Sequence, residues 1–140
     1  MKNFYLLCTF LLCAYISHSQ IAHIGASRLT AAILNTGIDV NNDGEIQLSE
    51  ASMLTSLNAN FISARTFQGI EHFTNLTNLN IGSSNSNTDS ENIDLRALTN
   101  LQDLSMSNFS GEINLSGLAN LKTIEASLQN PNKFDMTGLV

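Results

Sequence analysis

Residues 95 to 106 read Leu95-Arg96-Ala97-Leu98-Thr99-Asn100-Leu101-Gln102-Asp103-Leu104-Ser105-Met106. The apolar residues of this stretch follow neither the 3.6-residue period of one amphipathic helix nor the strict alternation of a single strand. A turn of the form Leu-x-x-Leu-x-Asn-Leu instead leads directly into a short strand of the form Leu-x-x-Leu-x-Met. We interpret this turn and strand as one unit of a repeated structure.

The unit recurs along the chain at intervals of about twenty residues. Its turn returns at 70–76 and at 115–121, and it begins again at 136. The strand cores start at Leu54, Leu76, Leu101 and Leu121, which lie 22, 25 and 20 residues apart. One strand and one return turn cannot cover their apolar side alone, so such units must stack. The sequence therefore predicts a stack of repeats over residues 54–140.

Alternate residues of each predicted strand should point away from the shared core, to the concave side of the stack. They are small and polar, and none is Trp, Tyr or Arg, the residues that dominate binding surfaces. Two interpretations stay open: these residues only solvate the sheet, which is the simpler one, or they contact a protein or glycan ligand. We call this set the polar sheet face; it comprises Ser56, Asn58, Asn60, Asn78, Asn80, Gly82, Asp103, Ser105, Ser107, Thr123, Glu125 and Ser127.

Residues 39 to 50 match the calcium-loop pattern D-x-[DN]-x-[DN]-G-x5-E at every specified position. Calcium takes 6–8 oxygens, so one short loop must deliver oxygens at alternate positions and then close the shell. A solvated Asn/Asp/Gly turn is the plainer alternative. The predicted Ca²⁺ ligands are the side chains of Asp39, Asn41 and Asp43, the backbone carbonyl of Glu45, and both carboxylate oxygens of Glu50.

Neighbouring residues complete the prediction of a helix-loop-helix cap over residues 20–53. Gly44 should make a sharp turn in which a Cβ atom would be in the way, and Gln47 should act through a water. Ile46 should point inward and tie the loop to the core. Ser27 is the expected N-cap of the first helix, and a second short helix should start at Ser49.

A second complete calcium loop is missing from the sequence. The nearest stretch, 85–91, has Ser90 in place of the glycine and Arg96 in place of the closing carboxylate, so we interpret it as a polar surface loop. A single loop favours a structural role with an affinity of roughly 10⁻⁴–10⁻³ M. The alternative functions are an EF-hand calcium buffer or sensor, which usually has paired loops that zip together, and a dockerin-like assembly module.

Residues 1–19 have the parts of a secretory signal peptide, with Lys2, an apolar run over 4–16 and the small-x-small end Ser17-His18-Ser19. A helix over that run spans only ~20 Å, less than the ~30 Å hydrocarbon core of a membrane. We therefore predict a cleaved leader rather than an anchor, and a secreted or cell-surface protein without a membrane span after cleavage. Both cysteines, Cys8 and Cys13, belong to this leader.

The composition argues against several classes of function. The formal charge is −6, and the six Lys and Arg residues are scattered, so no basic stripe predicts a nucleic-acid partner. Beyond the leader the chain has only His23 and His72, no cysteine, and no nucleophile or phosphate-loop motif. We therefore predict that the protein is not an enzyme.

These motifs together resemble the leucine-rich-repeat surface proteins of bacteria, of the internalin-like kind, in which a small helical cap related to an EF-hand precedes the repeats. The resemblance rests on the loop 39–50 and on the Asn-Leu pairs at 75–76, 100–101 and 120–121. It implies an α/β fold, with a short leucine-rich-repeat solenoid behind a small helical EF-hand-like cap, and a protein-binding or adhesion module whose cap calcium would stabilise. Val140 falls within a repeat, so we expect the chain to be a truncated piece of a longer protein.

Overall fold

The computed structural model describes residues 20–25, 27–60, 66–82, 92–109, 111–128, 134–135 and 137. These residues form a mixed α/β structure in which two short α-helices precede every strand. The elements are, in chain order, α1 (Ser27–Leu34), α2 (Leu48–Ala51), β1 (Ser56–Ala59), a 3₁₀ helix (Ile70–His72), β2 (Asn78–Gly82), β3 (Ile93–Asp94), β4 (Asp103–Phe109), β5 (Ile113–Asn114), β6 (Thr123–Leu128) and β7 (Phe134–Asp135).

Four of the strands form one parallel sheet in the order β1-β2-β4-β6. Its register aligns equivalent positions of successive repeats: Leu57 lies opposite Leu79, Leu79 opposite Leu104, and Leu104 opposite Ile124. These residues are the second apolar positions of the four predicted strand cores. Each of these repeats therefore contributes one strand, as predicted.

A second parallel sheet has the order β3-β5-β7, and each of its strands has two residues. Ile93 lies opposite Ile113, which in turn lies opposite Phe134. The chain alternates between the sheets, because β3 separates β2 from β4 and β5 separates β4 from β6. Only a turn was predicted between successive strands of the four-stranded sheet. The structure adds a two-residue strand to this connection.

Apolar residues of the two helices, of strands β1 to β5 and of the turns between them form one buried cluster in the part of the chain that the structure describes. Burial of these side chains is the main favourable contribution to folding, at roughly 25 cal/mol per Å² of apolar surface. Phe67 and Phe109 meet edge to face in this cluster, with ring centroids 6.4 Å apart. The strand-core residues Leu76, Leu79 and Ile81 and the turn residues Leu95, Leu98 and Leu101 are at most 2% exposed.

The asparagine of each Asn-Leu pair joins its turn to the preceding repeat. The three hydrogen bonds run from Asn75 Nδ2 to Ser52 O (2.7 Å), from Asn100 Nδ2 to Thr74 O (3.0 Å) and from Asn120 Nδ2 to Thr99 O (2.8 Å). Each acceptor lies between 21 and 26 residues earlier in the chain, so these bonds link successive repeats rather than closing one turn. We call these three residues the asparagine ladder.

The two edges of the four-stranded sheet have different surroundings. Helix α1 packs beside β1, and its inward-facing Leu29 and Ile33 are 0% exposed. At the other edge, Ile124 of β6 is 37% exposed, and Ala126 is exposed as well. The apolar side of the sheet is thus covered next to β1 and accessible next to β6.

The predicted leader 1–19 and the polar surface loop predicted at 85–91 both lie outside the described residues. Within the part of the chain that the structure describes, no helix is both long enough and apolar enough to cross a membrane.

Candidate metal centre and polar sheet face

The predicted calcium loop, 39–50, connects α1 to α2. Ile38, immediately before the loop, is 8% exposed, and Ile46 within it is 2% exposed. The inward orientation predicted for Ile46 is therefore confirmed. Residues 40–45 between these two anchors are all exposed, so the polar part of the loop faces solvent.

Gly44 has the left-handed backbone conformation, with φ of 81°. A Cβ atom at this position would meet nothing within 4 Å. The expectation that a Cβ would be obstructed is therefore wrong. Glycine fits here because other residues rarely adopt a positive φ, although Asn42 in the same loop also has a positive φ, of 57°.

Helix α1 begins at Ser27 itself. Ser27 was expected to be the N-cap, just before the first helical residue, so the helix begins one residue earlier than predicted. A difference of this size is common where helix ends fray. Helix α2 similarly begins at Leu48, one residue before the predicted Ser49.

Short side chains at the start of the loop bind its own backbone. Asp39 Oδ1 accepts a hydrogen bond from Asp43 N (3.2 Å), and Asp39 Oδ2 accepts one from Gly44 N (3.0 Å). Asn41 Oδ1 shares the Asp43 amide at 3.0 Å. Two of the predicted ligand oxygens therefore lie against one N–H group, which brings them close together.

Asp43 is the centre of a side-chain network in the loop. Its Oδ1 accepts from Glu45 N (2.8 Å), and its Oδ2 accepts from Asn41 Nδ2 (2.8 Å) and Gln47 Nε2 (2.9 Å). The Glu45 amide is the main cause of a pKa for Asp43 below its ordinary value, and the Asn41 and Gln47 amides lower this pKa further. Asp43 is therefore ionised at neutral pH. Gln47, which was expected to act through a water, binds Asp43 directly.

Glu50 closes the loop from its buried end. It is 5% exposed, its Oε1 accepts from Val40 N (2.9 Å), and its Oε2 accepts from Gln47 N (3.0 Å). Hydrogen bonds to an ionised carboxylate are stronger than neutral ones. Glu50 thus fastens the second residue of the loop to its ninth, and α2 holds it in that place.

The donor set consists of oxygen atoms, which are the ligands that calcium prefers. The structure brings Asp39, Asn41, Asp43 and Glu50 into one hydrogen-bonded loop, whereas the Glu45 side chain takes no part in these bonds. Across the described ranges no group of three or more His, Cys, Asp and Glu side chains could hold a metal ion as it stands. Each carboxylate oxygen that accepts one hydrogen bond keeps a further lone pair. The residue types therefore fit calcium, with the loop amides as their present partners.

The polar sheet face is the outward side of the four-stranded sheet. Its residues are exposed or half-buried apart from Gly82, which is buried, and the alternate residues of β1, β2 and β4 are buried too. Asn78 Nδ2 donates to Asp103 Oδ2 at 2.8 Å, and Ser107 Oγ donates to Asn60 Oδ1 at 2.7 Å. The second bond passes over Gly82, where a Cβ atom would overlap both the Asn60 and Ser107 side chains.

Asn80 lies at the middle of this face, opposite Asn58 on one side and Ser105 on the other. Its Oδ1 is a buried oxygen without a hydrogen-bond partner among the described residues. Buried polar atoms nearly always have a partner. No sequence pattern singles out this acceptor, because asparagine recurs at several positions of the face.

Comparisons with known proteins assign this chain to no family. No family model matches the chain, and no curated protein matches it. A crystal structure of an internalin (inlF) from Listeria monocytogenes is similar over 73% of this chain and 36% of its own, with 19% sequence identity and a TM-score of 0.44. The chain thus spans about a third of the length of that internalin, and a similarity of this size establishes neither a shared family nor a shared activity.

Proposed function

We propose that the protein is a secreted or surface-displayed recognition module. In this proposal a short leucine-rich-repeat solenoid binds a protein or glycan through the polar sheet face, and calcium stabilises the helical cap at 20–53. The observation that carries the proposal is the in-register parallel sheet, which buries the apolar side of β1, β2 and β4 and presents small polar side chains on the other side. A continuous surface of this kind suits recognition better than catalysis.

The chemistry of the face favours a ligand that donates hydrogen bonds. Its two charged side chains, Asp103 and Glu125, are both acidic, and none of its twelve residues is basic. Sugar hydroxyls and the Lys or Arg side chains of a protein would each supply such donors.

The polar sheet face is tested by placing a bulky cation at its centre. Ser105 lies between Asn80 and Glu125 in the register, so Ser105→Arg should weaken binding of any ligand of the parent protein at least tenfold. Ala119→Arg is the matched control, because Ala119 is exposed in a turn outside the sheet. Both variants and the parent are screened on a glycan array and on a panel of purified secreted proteins. Equal binding by Ser105→Arg and the parent would show that the polar sheet face is not the ligand-binding surface.

The calcium part of the proposal is supported by the charge of the loop. Asp39, Asp43, Glu45 and Glu50 place four carboxylates within twelve residues. Like charges this close repel one another, and a divalent cation relieves that repulsion. Binding to the folded state alone then raises the free energy of unfolding.

A thermal melt with calcium and with a chelator tests this part. At ten times its dissociation constant, calcium should add about 1.4 kcal/mol, which corresponds to a rise in Tm of roughly 5 °C. Asp39→Ala and Glu50→Gln should abolish the rise, and Asp94→Asn, which alters a carboxylate far along the sequence from the loop, should keep it. The same Tm for the parent in calcium and in chelator would contradict the proposal.

A further inference from the structure

The first described residues of the chain pair with the end of the calcium loop. Ala22 N donates to Ile46 O and Leu48 N donates to Gln20 O, both at 2.7 Å, so Ile21 and Gln47 form an antiparallel bridge. Ala22 is 4% exposed, which shows that this pairing is packed against the core. Residues 20–22 therefore cover the backbone edge of the loop at residues 46–48.

This edge lies between two of the predicted ligands. Glu45, whose carbonyl should bind calcium, directly precedes Ile46, and Gln47 N donates to the closing carboxylate of Glu50. In paired EF-hands a second loop would zip onto the first. In the part of the chain described by the structure, residues 20–22 occupy that edge instead.

The other end of the same segment contacts the first repeat. Gly25 N donates to Gln68 O at 3.0 Å. Gly69 has φ of 98°, and a Cβ atom there would come within 2.7 Å of both His23 O and Ile24 Cα. The segment thus fits tightly against the turn that leads into the 3₁₀ helix Ile70–His72.

We propose that residues 20–25 form a strap that takes the place of a second EF-hand loop and couples the calcium site to the first repeat. This inference rests on the calcium binding proposed above. By holding residues 46–48, the strap keeps the Glu45 carbonyl and the Glu50 carboxylate in one arrangement before the ion arrives. Such preorganisation raises affinity because less conformational freedom is lost on binding.

Two proline variants test the end of the strap at the loop. Ala22→Pro removes the N–H that binds Ile46 O, whereas Ile21→Pro places the same ring at the non-hydrogen-bonded residue of the bridge. Isothermal titration calorimetry with calcium chloride should show affinity about fivefold to tenfold weaker for Ala22→Pro, the size expected for one lost hydrogen bond. Ile21→Pro should stay within about twofold of the parent.

Two alanine variants test the end at the first repeat. Gly69→Ala and Gly117→Ala both place a Cβ at a positive φ, 98° and 80°, but only at Gly69 does the new atom meet the strap. Calcium affinity should fall in Gly69→Ala, although Gly69 lies outside the loop, and should be retained in Gly117→Ala. Equal calcium affinity in Ala22→Pro, Gly69→Ala and the parent would overturn the proposal that the strap couples the calcium site to the first repeat.

Hydrogen exchange on the parent protein tests the same coupling without a substitution. Calcium should slow exchange of the amides of Ala22 and Leu48 and also that of Gly25 at the far end of the strap. The amide of Ala119, an exposed turn residue that can open locally without global unfolding, should exchange at an unchanged rate. If the parent binds no calcium, the proposed calcium function and the strap both fail. If calcium binds and Asp39→Ala abolishes it while Ala22 and Gly25 exchange unchanged, only the strap fails.

Discussion

Three Asp or Asn residues stand at equivalent positions, each as the last residue of a two-residue strand of the second sheet. Asp94, Asn114 and Asp135 each use Oδ1 to accept the amide two residues later, from Arg96, Ser116 and Thr137 respectively, at distances between 3.0 and 3.1 Å. Aspartate and asparagine both carry an acceptor oxygen at this place in the side chain. The turn therefore requires the oxygen and not the charge.

Asp94 differs from its counterparts in the described residues by forming a salt bridge with a cation, Arg96. Its side chain binds Arg96 through two nitrogens, and the closest contact is 2.6 Å from Asp94 Oδ2 to Arg96 Nη2. The hydrogen bonds from Arg96 hold the pKa of Asp94 below its ordinary value. Because that pKa is depressed in the folded state, the pair stabilises the fold above the unfolded-state pKa of about 3.9. The contribution is lost as the pH falls through the lower folded-state value.

We expect Asp94→Asn to cost less than about 1 kcal/mol at neutral pH, because the pair is solvent-exposed and the amide keeps the turn. The difference from the parent should shrink in concentrated salt and vanish at a pH below the folded-state pKa. Urea unfolding of both proteins at neutral and acid pH measures this difference in the free energy of unfolding. A loss that stays constant down to acid pH would show that the charge is irrelevant.

The calcium loop shows what spacing can predict for single residues. Spacing predicts five calcium ligands, because the ion needs oxygens at alternate places and a closing carboxylate. It could not show that Glu50 binds the amides of Val40 and Gln47, since the direction of a backbone N–H depends on how the loop folds back. The expected role of Gly44 was wrong for the same reason, because a local pattern does not reveal the surrounding space.

At the scale of elements, the four long strands were predictable and the three short ones were not. The six-residue pattern Leu-x-x-Leu-x-apolar, with Ile in place of the second Leu in the last copy, occurs four times. Each copy overlaps one of the strands β1, β2, β4 and β6, so these strands were predictable. Two residues are too few to show a period of two. The available signal was the recurrence of an apolar residue, Asp or Asn, and a second apolar residue at 93–95, 113–115 and 134–136.

The asparagine ladder lends itself to a test at this scale. Asn100→Ala removes the 3.0 Å bond to Thr74 O and leaves an acceptor of the preceding turn without its amide partner, so we expect a loss of about 1 kcal/mol. Thr99→Ala is the control, because the backbone carbonyl that Asn120 binds is retained. Urea unfolding curves of both variants provide the comparison. Equal stability of Asn100→Ala and the parent would mean that water replaces the ladder without cost.

For the molecule as a whole, the apolar cluster formed by the described residues is the main source of stability. The predicted core positions are buried in β1, β2 and β4 and exposed in β6, where Ile124 is 37% exposed. Periodicity shows which side of a strand is apolar, but burial also needs a neighbour on that side. The strap at 20–25 was missed altogether, because six residues without a motif carry no pattern that points to a partner.

We expect Leu98→Ala, at 0% exposure, to lower the free energy of unfolding by about 2–5 kcal/mol. Ile124→Ala likewise shortens an apolar side chain, but at a position of β6 that is 37% exposed, and it should cost no more than about 1 kcal/mol. Chemical unfolding followed by circular dichroism separates the two. Similar losses in both would place Leu98 outside the cooperative core.

The order of the sheet also governs how the protein would yield to mechanical force. Each strand of the β1-β2-β4-β6 sheet is bonded only to strands of the adjacent repeats. Tension between the chain ends would therefore peel the stack from its exposed edge, one repeat after another, rather than shear the whole sheet at once. Every event would release 20–25 residues, or about 70–90 Å of extended chain, so a tether made of such units would lengthen in steps while the rest of the stack kept its shape.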